Sequence, residues 1–318
     1  MVKSLALQRA MSHEFGACMF DVTLDCEDGA AVGAEREHAF LVQALVNQAH
    51  AASKEVAIQL IARVAARVHP VDHSAFEQDV AVIVGGAAHG LCHVMVPKVD
   101  TRAQVDLAVI AIDQAAARAG RTDPLPIHVL IESPLAVHNV AGIVSHPRVE
   151  SASFGLMDFV SAHGGAIPSS AMAAAEGDAA SLDQFHHPLV VRAKLEMSAA
   201  CHAFGKVASH CVVTEFKDTA RLERAARHAS QAFGYTRMWS IHPDQIRPIL
   251  TAFAPEASEV EQASLIICKA HAADWAPISV NGQLHDRASY RYYWQVLVRA
   301  RQTARLHSLD PAQVFFVG

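Results

Sequence analysis

Two carboxylates that follow neighbouring apolar runs of the chain are placed where metal chemistry is feasible. The run Ile127–Ile131 leads into Glu132, and a second run that starts at Val149 leads into Asp158. The residues between the runs have the apolar spacing of a helix, so the segment predicts a strand–helix–strand unit with parallel strands. Because parallel strands end at the same edge of a sheet, we expect Glu132 and Asp158 to emerge together. Two converging carboxylates suit a hard divalent cation such as Mg²⁺, which keeps positions open for substrate.

A structural interpretation of these two carboxylates also stays open. An acidic residue at the end of a strand can cap the next helix or pair with a surface arginine. Equivalent positions after two consecutive strands favour a shared site over two independent caps.

The composition of the chain narrows the class of protein. The 318 residues are 52% hydrophobic and 18% charged, with a net charge of −6, which is typical of a globular protein with a large core. This charge predicts no nucleic-acid partner, and the longest apolar runs are too short for a membrane span. With no secretory signal and six widely spaced cysteines, we expect a cytoplasmic protein with reduced thiols.

Strand-like and helical segments alternate along most of the chain. Seven segments have the apolar, β-rich character of buried strands: 17–25, 64–69, 91–96, 127–132, 149–158, 206–213 and 238–241. Regular alternation with helices predicts a parallel sheet covered by helices, and this many repeats favour a closed (β/α)8 barrel over an open doubly wound sheet. The chemistry of such a barrel lies at the carboxyl ends of its strands. The polar residues at these ends are Asp25, Glu27, Asp28, Arg67, Lys98, Glu132, Asp158 and His242.

The character of the sequence changes near its C-terminus. We predict a barrel domain over residues 1–276 and a helical extension over residues 277–318. The extension carries an aromatic stripe, which is more typical of packing or of a subunit contact than of a ligand site: Tyr290, Tyr292, Tyr293 and Trp294.

Seven short motifs, in order, resemble those of a single known family. They are Leu24-Asp-Cys-Glu-Asp-Gly29, Ala66-Arg-Val-His69, Val96-Pro-Lys-Val-Asp100, Leu130-Ile-Glu-Ser-Pro134, Phe154-Gly-Leu-Met-Asp158, Ser240-Ile-His-Pro243 and Gly282-Gln-Leu-His-Asp286. Together they resemble the citrate lyase β-subunit-like family, a branch of the HpcH/HpaI aldolase superfamily that includes malyl-CoA and citramalyl-CoA lyases. The resemblance covers roughly residues 17–300.

The resemblance implies a TIM barrel that assembles as a homotrimer or homohexamer. It implies Mg²⁺ on Glu132 and Asp158, and Arg67 at the reacting oxygens of the substrate. It also implies that Asp286, in the C-terminal extension, reaches into a neighbouring subunit as a proton donor. The opening strand of the family has no counterpart before Cys18, so the first barrel strand is expected to be atypical, either missing or replaced by an N-terminal helix.

The function expected from this resemblance is magnesium-dependent carbon–carbon cleavage. The substrate would be a 3-hydroxyacyl thioester of coenzyme A or an acyl-carrier protein, and the products an acyl thioester and a 2-oxo acid. Lys98 would assist catalysis, and Glu27 and Asp28 would help Arg67 to bind substrate, although a purely structural ion-pair network fits these acidic residues equally well. Three alternatives stay open: an aldolase for a non-thioester hydroxy-oxo acid, an acyl-CoA thioesterase, and a non-catalytic subunit of a lyase complex.

Overall fold

The computed structural model of the chain describes residues 1–30, 32–53, 56–174, 182–307 and 310–316. The chain divides into two compact units, Met1–Ile249 and Leu250–Gly318. The second unit therefore begins before residue 277, and it takes in helices that the sequence pattern assigns to the barrel domain.

The first unit is built on one sheet of seven parallel strands. In chain order these are β1 (Val22–Asp25), β2 (Val64–Arg67), β3 (Leu91–Val96), β4 (Ile127–Ile131), β5 (Val149–Phe154), β6 (Val207–His210) and β7 (Arg237–Met238). Each strand pairs with the next along the chain, so the spatial order follows the sequence order. All five residues of β4 are buried, as expected for an apolar strand that is covered on both faces.

Helices connect the strands and cover the sheet. They are α1 (Val2–Phe15), α2 (Glu35–Ala52), α3 (Phe76–Asp79), α4 (Gly85–Ala87), α5 (Arg102–Arg118), α6 (Pro134–His138), α7 (Val140–Val144), α8 (Leu156–Ser161), α9 (Pro188–Ala203) and α10 (Thr219–Gln231). Helix α11 (Ile246–Phe253) follows and contains the boundary between the two units. A π-helix, Val80–Val84, joins α3 to α4, and short 3-10 helices lie at Ile58–Leu60, Ala88–Gly90, Ser169–Met172 and Pro243–Gln245. Local sequence sets several helix starts. For example, Thr101 and Gln104 form a capping box at α5.

The parallel sheet curls until its first and last strands approach each other. Arg237, which opens β7, pairs with Asp21 just before β1, with 3.3 Å between Nη1 and Oδ2. Nearer the carboxyl ends of the strands, the guanidinium of Arg67 lies 5.5 Å from the ring centroid of Trp239. The prediction of a parallel, helix-covered sheet is therefore confirmed, in the form of a curled sheet of seven strands. Within the described ranges, no strand pairing joins β1 to β7.

The N-terminal segment forms a helix that lies against the amino ends of the first strands. The side-chain amide of Gln8, on α1, donates to the backbone carbonyls of Phe20 at 2.7 Å and Arg63 at 2.9 Å. The sheet itself begins at Val22.

Two details differ from the predicted strand–helix–strand unit. Strand β5 ends at Phe154, so Asp158 lies in the first turn of α8 rather than at the end of a strand. The predicted helix over 135–144 is broken at Asn139 into α6 and α7. The Ala-, Gly- and Ser-rich composition of residues 161–183 predicts a long loop, and this segment falls partly on residues 175–181, which lie outside the described residues.

The second unit packs two long helices around a core of its own. These are α12 (Ala257–Ala272) and α13 (Arg287–Gln302), followed by a 3-10 helix at Pro311–Phe316. Tyr290 is buried in this core, and Tyr293 and Trp294 pack against it, whereas Tyr292 is exposed. Most of the aromatic stripe is therefore packing, as its sequence pattern indicated.

A β-hairpin precedes α13 in the segment predicted as a helical extension. Strands β8 (Ile278–Val280) and β9 (Gln283–His285) pair antiparallel. Asn281 and Gly282 join them with φ of 52° and 77°, the two left-handed residues that a tight hairpin turn requires. All six cysteines are free thiols, and no helix in the described part of the chain is long and apolar enough to cross a bilayer.

Candidate active site

The loop after β1 folds around the side chain of Asp25. Its Oδ1 accepts from the backbone N–H of Glu27 at 3.0 Å, and its Oδ2 accepts from that of Gly29 at 2.8 Å. A Cβ at position 29 would lie 2.4 Å from Asp25 Oδ2, so only glycine fits this turn. The turn leaves Glu27 buried, whereas more than half of the Asp28 side chain is exposed.

Arg67, the last residue of β2, is held by this acidic loop. Its Nε and Nη2 each donate to one oxygen of Asp25 at 2.6 Å, and its Nη1 lies 2.8 Å from Glu27 Oε2. Burial alone would raise the pKa of Asp25, but the hydrogen bonds and charge of Arg67 outweigh it and lower that pKa. Arg67 is thus a fixed, permanently charged group at the carboxyl end of the sheet.

Lys98 links the acidic loop to Glu132. Its Nζ lies 2.6 Å from Glu27 Oε1 and 3.7 Å from Asp28 Oδ1. Its backbone N–H donates to Glu132 Oε1 at 2.5 Å. Lys98 adopts φ of 52°, a left-handed conformation that is uncommon for a residue with a side chain and that often marks a functional position.

Glu132 is a buried carboxyl group, 5% exposed, directly after β4. Burial raises its pKa to about 7, and the nearby negative charges of Asp158 and Glu27 act in the same direction. The side chain lies against Gly155, where a Cβ would come within 2.5 Å of Glu132 Oε2. Only a glycine at the end of β5 leaves room for Glu132 in this position.

Asp158 lies one helical turn beyond Gly155 and is half-buried. Its charge acts on both Glu132 and Lys98, so it belongs to the same cluster. Within the described ranges, no hydrogen bond reaches the Asp158 carboxylate or Oε2 of Glu132. These oxygens are therefore available as ligands, and carboxylate oxygens are what Mg²⁺ selects.

The structure thus brings six predicted residues into one cluster: Glu27, Asp28, Arg67, Lys98, Glu132 and Asp158. Asp286 belongs to the second unit, where it caps α13 by accepting from the backbone N–H of Ala288 at 2.9 Å. His242 caps the short helix Pro243–Gln245 and stacks on Phe216 at 4.6 Å, which are the contacts of a structural residue.

Two residues of the site were not identified from the sequence. Gly155 makes room for Glu132, and Trp239 lies over Arg67. Both residues lie within predicted strands, and this position was the available signal in the sequence. Their contact partners, however, come from other strands, which the sequence pattern does not reveal.

Comparison with known proteins identifies the family. The profile of HpcH/HpaI aldolase/citrate lyase matches residues 4–243. The chain belongs to this family. A crystal structure of a citrate lyase from Burkholderia xenovorans LB400 is 44% identical and superimposes with a TM-score of 0.80, covering 98% of this chain and 92% of that one.

More distant members of the HpcH/HpaI family agree with this assignment. An L-malyl-CoA/β-methylmalyl-CoA lyase from Cereibacter sphaeroides (strain ATCC 17029) is 29% identical over 247 residues, 73% of this chain and 74% of its own. The CitE protein of Mycobacterium tuberculosis, crystallised with magnesium, acetoacetate and coenzyme A, is 21% identical with a TM-score of 0.63, covering 93% and 94% of the two chains. That structure supports the fold. The family identifies the chain as a carbon–carbon lyase, as its motifs predicted.

Proposed function

We propose that this chain cleaves a 3-hydroxyacyl thioester of the malyl-CoA or citramalyl-CoA type into an acyl thioester and a 2-oxo acid, with Mg²⁺ as cofactor. The observation that carries this proposal is the cluster of Glu132 and Asp158 beside Arg67 and Lys98. Two carboxylates with free oxygens lie next to two cations, an arrangement that can hold a metal and a multiply negative substrate at once.

The residues present fit a divalent cation. Burial and the negative charges of Asp158 and Glu27 raise the pKa of Glu132 despite the opposing effect of Lys98, so a bound cation would stabilise the ionised carboxylate further. Glu132 and Asp158 would hold the ion. When bound, Mg²⁺ acts as a Lewis acid and as a template for a 2-oxo acid.

Arg67 is the residue best suited to hold the reacting oxygens of the substrate. Three of its nitrogens are already fixed by Asp25 and Glu27, so it needs little reorganisation when charge develops on the substrate. Lys98 and Glu27 pair at 2.6 Å and position each other on the substrate side of the cluster. Asp28, more exposed, extends the substrate-binding surface.

Asp286 is proposed to supply a proton to the enolate carbon of the departing acyl thioester, from a neighbouring subunit. Its carboxylate is exposed, and it caps α13 in a unit that is compact in its own right. This arrangement requires a homo-oligomer, for which we propose a trimer or hexamer, with the segment over residues 277–318 contacting the neighbour.

We also propose that the curled sheet closes as a TIM barrel, which the Arg237–Asp21 pair supports, and that the protein is cytoplasmic.

A substrate panel tests this proposal. The purified protein is incubated with malyl-CoA, citramalyl-CoA and a non-thioester hydroxy-oxo acid, with and without Mg²⁺. We expect 2-oxo acid and acyl-CoA to form in equal amounts, only from the thioesters and only with the metal. Free malate with CoA and no 2-oxo acid would instead indicate a thioesterase, and cleavage of the non-thioester alone an aldolase. No turnover in any arm, together with no Mg²⁺ binding, would indicate a non-catalytic subunit.

A further inference from the structure

A buried lysine lies in the first unit and takes no part in the active-site contacts. Lys194, on α9, is 0% exposed. Its Nζ donates to the backbone oxygen of Gln184 at 3.0 Å and to the side-chain Oε1 of Gln184 at 2.8 Å. It also lies 4.5 Å from the ring centroid of Phe185. Within the described ranges no carboxylate forms an ion pair with Lys194, which is unusual for a lysine at this depth.

A buried thiol shares a hydrogen-bond acceptor with this amine. Cys211 directly follows β6 and is 1% exposed. Its Sγ donates at 3.2 Å to the same Gln184 Oε1 that accepts from Lys194 Nζ at 2.8 Å. A nucleophilic nitrogen and an oxidisable sulfur thus share one acceptor.

The surroundings favour the neutral form of both groups. Burial lowers the pKa of Lys194 and raises the pKa of Cys211, because the charged forms lose their hydration. A lowered pKa increases the fraction of Lys194 that carries a free electron pair, and this neutral amine is the nucleophilic form. His210 is a further base beside the thiol, with Nδ1 at 3.7 Å and Nε2 at 3.9 Å from the Cys211 sulfur.

The cluster has more donors than acceptors. The Nε2 group of Gln184, a fully buried side chain, has no hydrogen-bond partner in the described structure, while its Oε1 accepts from both Lys194 and Cys211. A buried donor without a partner is costly. An oxygen atom added to the Cys211 sulfur, which lies 3.2 Å from Gln184 Oε1, would add an acceptor to the cluster.

We propose that Lys194 and Cys211 form a site of oxidative cross-linking, in which a peroxide converts the thiol to a sulfenic acid and the amine then captures the sulfur. In the first step the thiol and one hydrogen peroxide give the sulfenic acid and one water. In the second, Nζ attacks the sulfur, an N–S bond forms, the S–O bond breaks, and the hydroxyl leaves with an amine proton as a second water. The sulfenamide joins α9 to the carboxyl end of β6.

Mass spectrometry of the peroxide-treated full-length protein tests this site. We expect the intact mass to fall by about 2 Da, for two hydrogens lost, and to recover with dithiothreitol. Trypsin should no longer cut after Lys194. The peptide Ala193–Lys206 should be found linked to Val207–Lys217.

Matched variants separate the cross-link from a disulfide. Cys201 lies in the adjacent tryptic peptide Leu195–Lys206, so a Cys201–Cys211 disulfide would link Leu195–Lys206 to Val207–Lys217 and leave the bond after Lys194 cleavable. The link should therefore persist in Cys201→Ser and be absent in Lys194→Arg, whose guanidinium is a poor nucleophile, and in Cys211→Ala, which keeps the amine. Oxidation of Cys211 to sulfinic acid with Lys194 still cleavable would overturn the proposal. So would an unmodified Cys211 at a peroxide dose that oxidises the partly exposed Cys18 and Cys268.

Discussion

The side chain of Glu132 occupies the space that a side chain on Gly155 would need, at the carboxyl end of the sheet. A Cβ on Gly155 would lie 2.4 Å from the Cβ of Glu132 and 2.5 Å from its Oε2. The absence of a side chain at the end of β5 therefore determines where a carboxylate from β4 can point. The position of Glu132, a proposed metal ligand, therefore depends on the glycine at residue 155 as well as on its own strand.

Gly155→Ala should displace Glu132 and weaken metal binding while the fold persists. We expect a loss of stability of about 1–3 kcal/mol from overpacking, and Mg²⁺ affinity lower by about 10–100-fold because the ligand is no longer held in place. Isothermal titration and urea unfolding measure the two effects. Gly142→Ala is the control, since nothing lies within 4 Å of a Cβ there and the position is helical. An unchanged Mg²⁺ affinity in Gly155→Ala would exclude this positioning role.

Arg67→Lys should abolish most of the activity although the charge is kept. A lysine cannot reproduce the paired hydrogen bonds to Asp25 and the contact to Glu27, so we expect kcat to fall by about 10²–10³-fold. Arg63→Lys offers a matched control. Arg63 pairs with Asp21 at 2.6 Å just before the same strand, at its amino end, and should affect stability only. Equal activity losses in the two variants would contradict a substrate-facing role for Arg67.

The raised pKa of Glu132 predicts how the metal-free protein responds to pH. The folded-state pKa of about 7 lies above the ordinary value of 4.5, so between these pH values the folded state holds a proton that the unfolded chain has released. Stability should therefore fall as pH rises from 4.5 towards 7, by about 3 kcal/mol in total, and level off above that. Urea unfolding in EDTA across this range measures the effect. In Glu132→Gln the total fall in stability over this range should be smaller by about 3 kcal/mol, and an equal fall in both proteins would disprove the assignment.

The strands and the cluster could be predicted from sequence because they depend on local patterns. Apolar runs at even intervals identified all seven strands, and the rule that parallel strands end at one edge brought Arg67, Lys98 and Glu132 together. The contacts of Gly155 and Trp239 could not be predicted in this way, since each depends on the register and curl of strands far apart in the chain. Asp158 shows the limit on a smaller scale, because an apolar run does not reveal where β5 gives way to α8.

The single variants Asp286→Asn and Glu132→Ala should each be inactive alone, but oligomers that contain both kinds of chain should be active. The asparagine keeps the side-chain oxygen that caps α13, so it removes the acidic proton without the loss of about 1 kcal/mol that a lost cap would cause. If Asp286 acts on a neighbouring subunit, a co-expressed 1:1 mixture contains sites with intact Glu132 from one chain and Asp286 from another, and should regain about a quarter of wild-type activity. Steady-state rates of the purified mixture measure this recovery. Asp274→Asn, a change at another aspartate of the second unit, should stay active by itself. If the mixture gains nothing while oligomers form normally, Asp286 does not act across a subunit boundary.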